Sequence, residues 1–506
     1  MRAWILLAAC SSGTSAPAVA PTASAFPLAT LDDRALCDRL LARTPEQFRV
    51  IVDREPELRR KVIVSDLHIG PGTSDPRFAG IEDFYSDAEW GQFLDAETAP
   101  TDLIIDGDFI EFWQIAAALH ALPQADRSAT GVTLAEDQTL GVAAIELVIA
   151  AHPTVFRDLG RFLARGDRRV IVIPGNHDAD LLWPKVQLRI ARAIAPPDPS
   201  TLIFVDGAAY EHGGVHVEHG HAFDAANQFA TGYAPFGRDR DGRCRLQASW
   251  GEIFVDQFYT ETERQIPFID NLYPESAAVL WELREDPRGI EHGVGAGIRF
   301  LELVLRGETS ALNRDAAKAA LQSLFGTPDT ALPDVIDQLT GRLARGDAGA
   351  TSIVNALWQL TEDPALARLW SAVIDAARAL PDFGAAFAAL GKVDPDALAH
   401  LRDRAFGDVE ETAAARLLGG PGAIRDVVFA HTHVVGGRTA KLANGYFANT
   451  GSWISVASVA ELVARGVTWD KLSLADRTMF PSKRTAVVID YADGRPQPPV
   501  VVNASQ

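Results

Sequence analysis

Cysteine and cationic residues are scarce in this 506-residue chain. It contains 3 cysteines, and its 47 lysines and arginines are outnumbered by 67 aspartates and glutamates, which gives a net charge of −20. So few cysteines exclude a disulfide scaffold and a zinc site built on thiolates. The acidic balance argues against a nucleic-acid partner, because the phosphate backbone is also negatively charged. No apolar run reaches the roughly 18 residues that a membrane-spanning helix requires.

The composition that remains is that of a folded globular protein. Hydrophobic residues make up 47% of the chain and charged residues 23%, which excludes a mainly disordered, collagen-like or coiled-coil protein. The length corresponds to about three domains of average size, so a large buried core is expected.

The first residues resemble a secretory signal. Met1 and Arg2 precede a short apolar run, and Leu7-Ala8-Ala9-Cys10 resembles the cleavage site of bacterial lipoproteins, in which the cysteine carries a lipid. Residues 1–30 are therefore predicted to form a signal-like segment and a flexible tether, and Cys10 a membrane anchor in the cell envelope. The apolar run is only about seven residues long, so an unstructured leader on a cytoplasmic protein is the alternative.

Short apolar runs of the chain end repeatedly in polar residues. Such runs are typical of strands buried on both faces, and helical spacing over 88–99 and 134–165 separates several of them. Strands that alternate with helices predict an α/β fold with its chemistry at the strand ends. The runs are 61–65 before Asp66 and His68, 102–106 before Asp108, 169–173 before Asn176, His177 and Asp178, 214–218 before His219 and His221, and 426–430 before His431 and His433.

The central part of the chain differs from its flanks. Residues 222–420 are rich in Ala, Leu and Arg at helical spacing and show no strand series. We therefore expect a large all-helical insertion or cap between two parts of one core, residues 31–221 and residues 421–493. The Pro-rich residues 494–506 are expected to form a tail.

Carboxylates, imidazoles and one amide follow the predicted strands in a combination that suits two divalent ions. In Asp66-x-His68 both side chains point the same way on an extended chain, and His431-x-His433 repeats this spacing. Asp108 follows a glycine that allows a sharp turn, and a carboxylate has two oxygens with which to bridge two ions. The seven candidate ligands are Asp66, His68, Asp108, Asn176, His219, His431 and His433.

In order along the chain, these motifs resemble those of the calcineurin-like metallophosphoesterases. The resemblance implies an α/β/β/α sandwich and hydrolysis of a phosphomonoester, phosphodiester or pyrophosphate, by in-line attack of a hydroxide that bridges two ions of Mn, Fe or Zn. The set is specific as a whole, although each motif alone is weak. The matching segments are Asp66-x-His68, Gly107-Asp108-x-x-Glu111, Gly175-Asn176-His177-Asp178, His219, Ala430-His431-Thr432-His433 and Asn449-Thr450-Gly451-Ser452-Trp453.

The resemblance also implies a role for each matching residue. His177 would contact the phosphate and protonate or stabilise the leaving group, Glu111 would orient His177, and Asp178 belongs to the same catalytic motif. One ion would be held by Asp66, His68, Asp108 and His433, and the other by Asp108, Asn176, His219 and His431, so that Asp108 bridges them.

Two features depart from the family pattern. Glu111 stands where Asp is more common, and Ala430 replaces a usual Gly; both are mild changes because the hydrogen bond and the turn can be kept. Trp113, after Gly-Asp-x-x-Glu, is similar to the UDP-2,3-diacylglucosamine hydrolase branch, which usually has Arg where His177 stands. The substrate of that branch is therefore not carried over, and we expect a small-molecule or lipid-linked phosphoester and no protein partner.

Further polar residues follow the fourth strand. His221, Asp224 and Asn227 are candidates for contacting substrate or supporting a ligand, although Asp224 and Asn227 also have the spacing of residues that cap a helix. The arginines at 238, 240, 243 and 245 form a basic cluster that is either a solvated loop or a phosphate contact.

Two other functions are open from the residues alone. One is an envelope-tethered binding protein with a vestigial metal site, whose functional surface is the insertion. The other is a metallo-β-lactamase-like hydrolase, which His219-x-His221 and Asp224 would suit. That class does not require the upstream Asp-x-His, Gly-Asp and Gly-Asn-His-Asp motifs, so it ranks below the phosphoesterase.

Overall fold

A computed structural model of the chain shows how these segments come together. It describes residues 26–78, 80–121, 137–223, 227–229, 232–239, 242–249, 251–252, 255, 260, 263, 268, 271–273, 409–420, 422–472, 479–480 and 483–504.

The strands and helices are numbered in chain order over these residues. The strands are β1 (Val50–Val52), β2 (Arg60–Val64), β3 (Thr101–Asp106), β4 (Arg168–Ile173), β5 (Leu202–Phe204), β6 (Ala209–His212), β7 (Val215–Glu218), β8 (Phe236–Arg238), β9 (Cys244–Leu246), β10 (Leu272–Tyr273), β11 (Asp426–Phe429), β12 (Arg438–Leu442), β13 (Gly445–Asn449), β14 (Ala457–Ser458), β15 (Thr485–Ile489), β16 (Tyr491–Ala492), β17 (Arg495–Pro496) and β18 (Val500–Asn503). The α-helices are α1 (Asp33–Leu41), α2 (Pro45–Arg49), α3 (Asp87–Ala96), α4 (Phe112–Ala121), α5 (Gln138–Ala151), α6 (Pro153–Leu163), α7 (Pro184–Ile194), α8 (Val409–Leu418) and α9 (Val459–Ala464).

Two six-stranded sheets of mixed direction organise the fold. The first has the order β18-β15-β2-β3-β4-β5, in which β2 to β5 run parallel and β15 and β18 are antiparallel additions at one side. The second has the order β1-β6-β7-β11-β13-β12, with parallel pairs at β7–β11 and β11–β13. The central parallel strands therefore end at common sheet edges, where loops can bring polar side chains together.

Successive side chains of a strand point to opposite faces of the sheet, so each face packs into its own hydrophobic core. In β2, Val62 and Val64 pack with the helices, whereas Ile63 packs against the second sheet. On the far side of the second sheet, Leu418 of α8 packs with Phe429 of β11. The architecture is therefore a mixed α/β sandwich of helices, sheet, sheet and helix, and burial on both faces explains the uninterrupted apolar runs.

Helix ends follow the local sequence. Asp137 caps α5 by accepting hydrogen bonds from two backbone N–H groups, and Pro153 begins α6 at a position where no N–H is needed.

In the described part of the chain no single helix is long and apolar enough to cross a membrane. The pair α5 and α6 meets that criterion only when the two helices are joined across an 85° bend.

Two predictions about chain organisation are wrong. Residues 494–506 are not a tail, because β18 pairs with β15 as an edge strand of the first sheet; the preceding prolines concealed a strand that backbone hydrogen bonds stabilise. Residues 222–420 are not all helical, because β8 and β9 form a hairpin and β10 pairs with β14. Helix α8 supports the helical prediction at its end, and most of the remaining insertion lies outside the described residues.

Candidate metal centre

The candidate ligands occupy strained turns at the ends of β2, β3 and β11. Asp66, His68, Asp108, His431 and His433 have positive φ angles from 45° to 70°, and they are five of the eight non-glycine residues with positive φ in the described chain. This conformation costs roughly 1–2 kcal/mol for a residue with a Cβ. Strain of this kind persists only where surrounding contacts impose it, and it concentrates at functional sites.

Two glycines make the close approach of these turns possible. A Cβ added at Gly107 would lie 2.3 Å from Nδ1 of His219, and one at Gly175 would lie 2.2 Å from Oδ1 of Asp108. The backbone N–H groups of Leu67 and His68 both lie 2.9 Å from the Asp108 carbonyl oxygen, which holds the first two turns against each other. The glycines are therefore required by the packing of the ligand turns themselves.

A first group of ligand atoms joins the turn after β2 to the turn after β11. Nε2 of His433 lies 3.1 Å from Oδ1 of Asp66 and 3.2 Å from Nε2 of His68. Oδ1 of Asp66 is buried and faces Nε2 of His433. A buried carboxylate oxygen and two imidazole nitrogens that face one another form a donor set that suits a divalent cation.

A second group surrounds Asp108 at the end of β3. Oδ2 of Asp108 lies 3.0 Å from Nε2 of His219 and 3.7 Å from Nε2 of His68. Nε2 of His219 also lies 3.1 Å from Oδ1 of Asn176. His431 belongs to this group, because one ligand atom from each of Asp108, His219 and His431 lies within 4.8 Å of the others. Asp108 thus lies next to both groups, as a bridging carboxylate must.

The histidine rings are oriented by hydrogen bonds on their outer nitrogens. Nδ1 of His68 lies 2.8 Å from Oε2 of Glu111, and Nδ1 of His219 donates to the Asp106 carbonyl oxygen at 2.8 Å. In both rings this leaves Nε2 directed at the carboxylates. Anchoring one ring nitrogen so that the other can bind is the usual arrangement of metal-ligating histidines.

Glu111 also holds His177 beside the ligand groups. Nδ1 of His177 lies 2.8 Å from Oε2 of Glu111, and its backbone N–H donates to Oδ1 of Asp108 at 2.9 Å. The indole of Trp113 stacks on the His177 ring, with centroids 4.1 Å apart. The His177 side chain is 18% exposed, so the ring that Glu111 and Trp113 hold in place remains partly open to solvent.

Charges in the cluster shift the pKa values in opposite directions. Burial alone would lower the pKa of His68, but its hydrogen bond to Glu111 and the nearby carboxylates raise that pKa to about 10. The pKa of His219 rises to about 10 against the same burial, mainly through Asp108. Burial would raise the pKa of Glu111, yet His177 and His68 lower it to about 2. The buried carboxylates therefore draw positive charge into this site, and protons and metal ions compete for it.

Asp178, predicted as a catalytic residue, lies beneath these side chains. Its carboxylate accepts hydrogen bonds from the N–H groups of Phe109 at 2.7 Å and Ile110 at 3.3 Å, and from that of Gly175. Burial and the charge of Asp108 raise the pKa of Asp178 to about 7. These contacts are those of a residue that joins the Asp108 and Asn176 turns rather than one directed at substrate.

The segment from Asn449 to Trp453, one of the matching motifs, lies against Asp66. The N–H of Trp453 donates to the Asp66 carbonyl oxygen at 3.1 Å. Ser65 Oγ lies 2.6 Å from Oγ1 of Thr450 and donates to Oδ2 of Asp66. One oxygen of Asp66 is thus held by a hydroxyl while the other faces the histidines.

The additional residues after β7 have different surroundings. His221 is buried with its ring centroid 5.6 Å from that of His219, and Nδ2 of Asn227 lies 3.4 Å from Nε2 of His431. Both therefore border the second ligand group. Asp224 lies outside the described residues.

The basic cluster of the insertion is largely neutralised by acidic side chains. Arg245 forms ion pairs with Asp137 at 2.9 Å and Asp239 at 2.8 Å, and Arg238 pairs with Asp38. These contacts favour a structural role for the cluster. Arg240 lies outside the described residues.

Sequence reasoning missed Glu410, on α8 at the end of the insertion. Its Oε1 accepts from the Thr432 hydroxyl at 2.6 Å and from Nδ2 of Asn449 at 3.1 Å, and its Oε2 accepts from Arg438 at 3.1 Å. Thr432 separates the two histidines of His431-x-His433, so Glu410 holds the turn that carries both. No local motif marks this glutamate, because its role depends on how α8 packs against β11.

Comparisons with known proteins identified no relative of this chain. No protein-family model matches the chain, and a search of curated proteins found no match. The resemblance to metallophosphoesterases therefore remains a prediction that rests on the motifs.

Proposed function

We propose that this protein is a phosphoesterase that depends on two divalent metal ions and has the α/β/β/α sandwich of the calcineurin-like metallophosphoesterases. The observation that carries the proposal is the convergence of side chains from separate strand ends on Asp108. Oδ2 of this carboxylate is within 3.7 Å of His68 on one side and 3.0 Å of His219 on the other.

The donor set suits manganese, iron or zinc. Asp66, His68, Asp108 and His433 would hold one ion, and Asp108, Asn176, His219 and His431 the other. Bound there, the ions would supply activation of water and neutralisation of phosphoryl charge. This assignment is supported by the buried Asp66 oxygen that faces His433 and by the Nε2 atoms of His68 and His433, which face each other.

His177 would act on the phosphoester directly. Its ring is partly exposed beside the ligand groups, and Glu111 lies 2.8 Å from its Nδ1. Burial would lower the pKa of His177, but the charges of Glu111 and Asp108 raise it, which favours the protonated ring. A protonated imidazole in this position would bind a phosphoryl oxygen or give its proton to the leaving group.

The test is hydrolysis of p-nitrophenyl phosphate, bis-p-nitrophenyl phosphate and pyrophosphate with Mn²⁺, Fe²⁺ or Zn²⁺. We expect metal-dependent turnover of at least one substrate and a loss of about 10²-fold or more with D108N. D167N is the matched control, because Asp167 also has positive φ but is exposed and lies outside the site. Activity that survives D108N would refute the proposal.

Metal content separates this function from the binding protein with a vestigial site. Two ions per chain after equilibration, reduced in D108N but not in D167N, support the phosphoesterase. Fewer than one ion per wild-type chain would favour the binding protein.

A further inference from the structure

Two of the three cysteines come together although they are distant in the sequence. Cys37 lies in α1 near the start of the described chain, and Cys244 is the first residue of β9, in the insertion. Their exposed fractions are 1% and 8%, and both belong to the same hydrophobic cluster. Helix α1 packs directly on the hairpin of β8 and β9.

The neighbouring residues bring Cys37 and Cys244 to the same contact between α1 and the hairpin. Cys244 lies directly opposite Arg238 in the β8–β9 register. Arg238 forms an ion pair with Asp38, the residue that follows Cys37. Burial, and after it the nearby Cys37 thiol, raise the pKa of Cys244. The part of α1 that carries Cys37 therefore packs against the strand that carries Cys244.

We propose that Cys37 and Cys244 are a redox modification site that forms a disulfide when the chain folds under oxidising conditions. The two thiols lose two protons and two electrons as the S–S bond forms. A disulfide donor such as oxidised glutathione or a dithiol oxidase accepts them and is reduced to two thiols. The bond would fasten α1 to the hairpin at the start of the insertion.

The surroundings of the thiols determine when the bond forms. Thiolate is the attacking species in thiol–disulfide exchange, and burial raises the pKa of Cys244 in the folded protein. Exchange is therefore slow once α1 covers the hairpin, so the disulfide forms during folding and is then shielded from reductants. Because the bond closes a very long loop, it restricts the unfolded chain strongly and stabilises the folded one.

The test is refolding of the full chain carrying C10S, which leaves only these two cysteines. One sample is refolded in a glutathione redox buffer and another in dithiothreitol, and peptides are mapped by mass spectrometry without reduction. We expect a Cys37–Cys244 linked peptide in the oxidised sample and a melting temperature about 5 °C above that of the reduced sample. The linked peptide is detected without metal or phosphoesterase activity, and both melting curves are recorded at the same metal content.

The control chain carries C10S together with C244A, a substitution that leaves the buried site apolar. It should melt at the same temperature in both buffers, which shows that the shift arises from the bond. Free thiols at both positions after oxidative refolding, disulfides formed only between separate chains, or equal melting of the oxidised and reduced C10S protein would overturn the proposal.

Discussion

Gly107→Ala is the substitution whose effect on the metal centre follows most directly from the structure. Gly107 has φ of 79°, and an added Cβ would lie 2.3 Å from Nδ1 and 2.4 Å from Cγ of His219. Contacts below 3.0 Å are not tolerated, so the imidazole must retreat by about 0.7 Å. The hydrogen bond from His219 to the Asp106 carbonyl oxygen, 2.8 Å long, lies in the same place and would be lost.

The expected effect of Gly107→Ala has two parts, a loss of stability and a loss of activity. The left-handed backbone costs roughly 1–2 kcal/mol of stability once a Cβ is present. The displaced ring misplaces a candidate metal ligand, and an error of about 1 Å at a reacting centre lowers the rate by as much as about 10²-fold. We therefore expect kcat/KM to fall by about that factor and one metal ion to bind more weakly.

Gly166→Ala is the control that measures the stability cost of a left-handed backbone alone. Gly166 has φ of 73°, and a Cβ there would meet no atom within 4 Å. In urea, G166A should lose only the stability that the left-handed backbone costs, whereas G107A should lose more because the clash with His219 and the lost hydrogen bond add to it. Only G107A should lose metal and activity, measured by elemental analysis and by p-nitrophenyl ester hydrolysis. If G107A keeps full metal content and activity within about threefold, the placement of His219 as a ligand is refuted.

Three further predictions concern Glu410, the buried His152 and the bound metal. E410A should lower kcat by about 10-fold or more, because it releases the turn that carries both histidine ligands. E411A, the neighbouring change on α8, should leave kcat near the wild-type value. Equal losses of kcat in the two variants would contradict the role given to Glu410. Burial lowers the pKa of His152, but Asp87 at 2.9 Å and Glu82 at 3.2 Å raise it to about 9. The stability that protonated His152 contributes to the fold is therefore complete below about pH 6.5 and is lost as the pH rises through 9. H152Q should therefore destabilise the protein by up to about 3 kcal/mol at pH 6 and much less at pH 10 in urea unfolding, and a pH-independent difference would exclude this ion pair. Removal of bound metal with a chelator should lower the melting temperature of the wild type, since the ions bind only the folded chain.

Most core strands, and the positions of the candidate ligands after them, could be predicted because their causes are local. A strand buried on both faces needs a short uninterrupted apolar run, as in residues 169–173, whose prediction agrees with β4 within one residue. Parallel strands end at one sheet edge, so the polar residues after those runs were expected to meet. The approach of the Asp66 and Asp108 turns follows from that rule and is observed. His433 reaches Asp66 from the second sheet, so that contact depends on how the two sheets pack.

Features with no local cause escaped prediction. β18 owes its existence to hydrogen bonds with β15, not to its own pattern. The hairpin of β8 and β9 interrupts a segment whose composition indicates helix. In both cases tertiary pairing overrode local sequence preference.

The sequence alone determined which residue types stand after each buried strand, because hydrophobic periodicity and glycine turns act over a few residues. Only the tertiary structure decided that Glu410 holds the histidine turn, that Asp178 holds backbone amides, and that Cys37 meets Cys244. These contacts join segments far apart in the chain. Their energy comes from the packing of whole helices and sheets, which no short pattern of residues encodes.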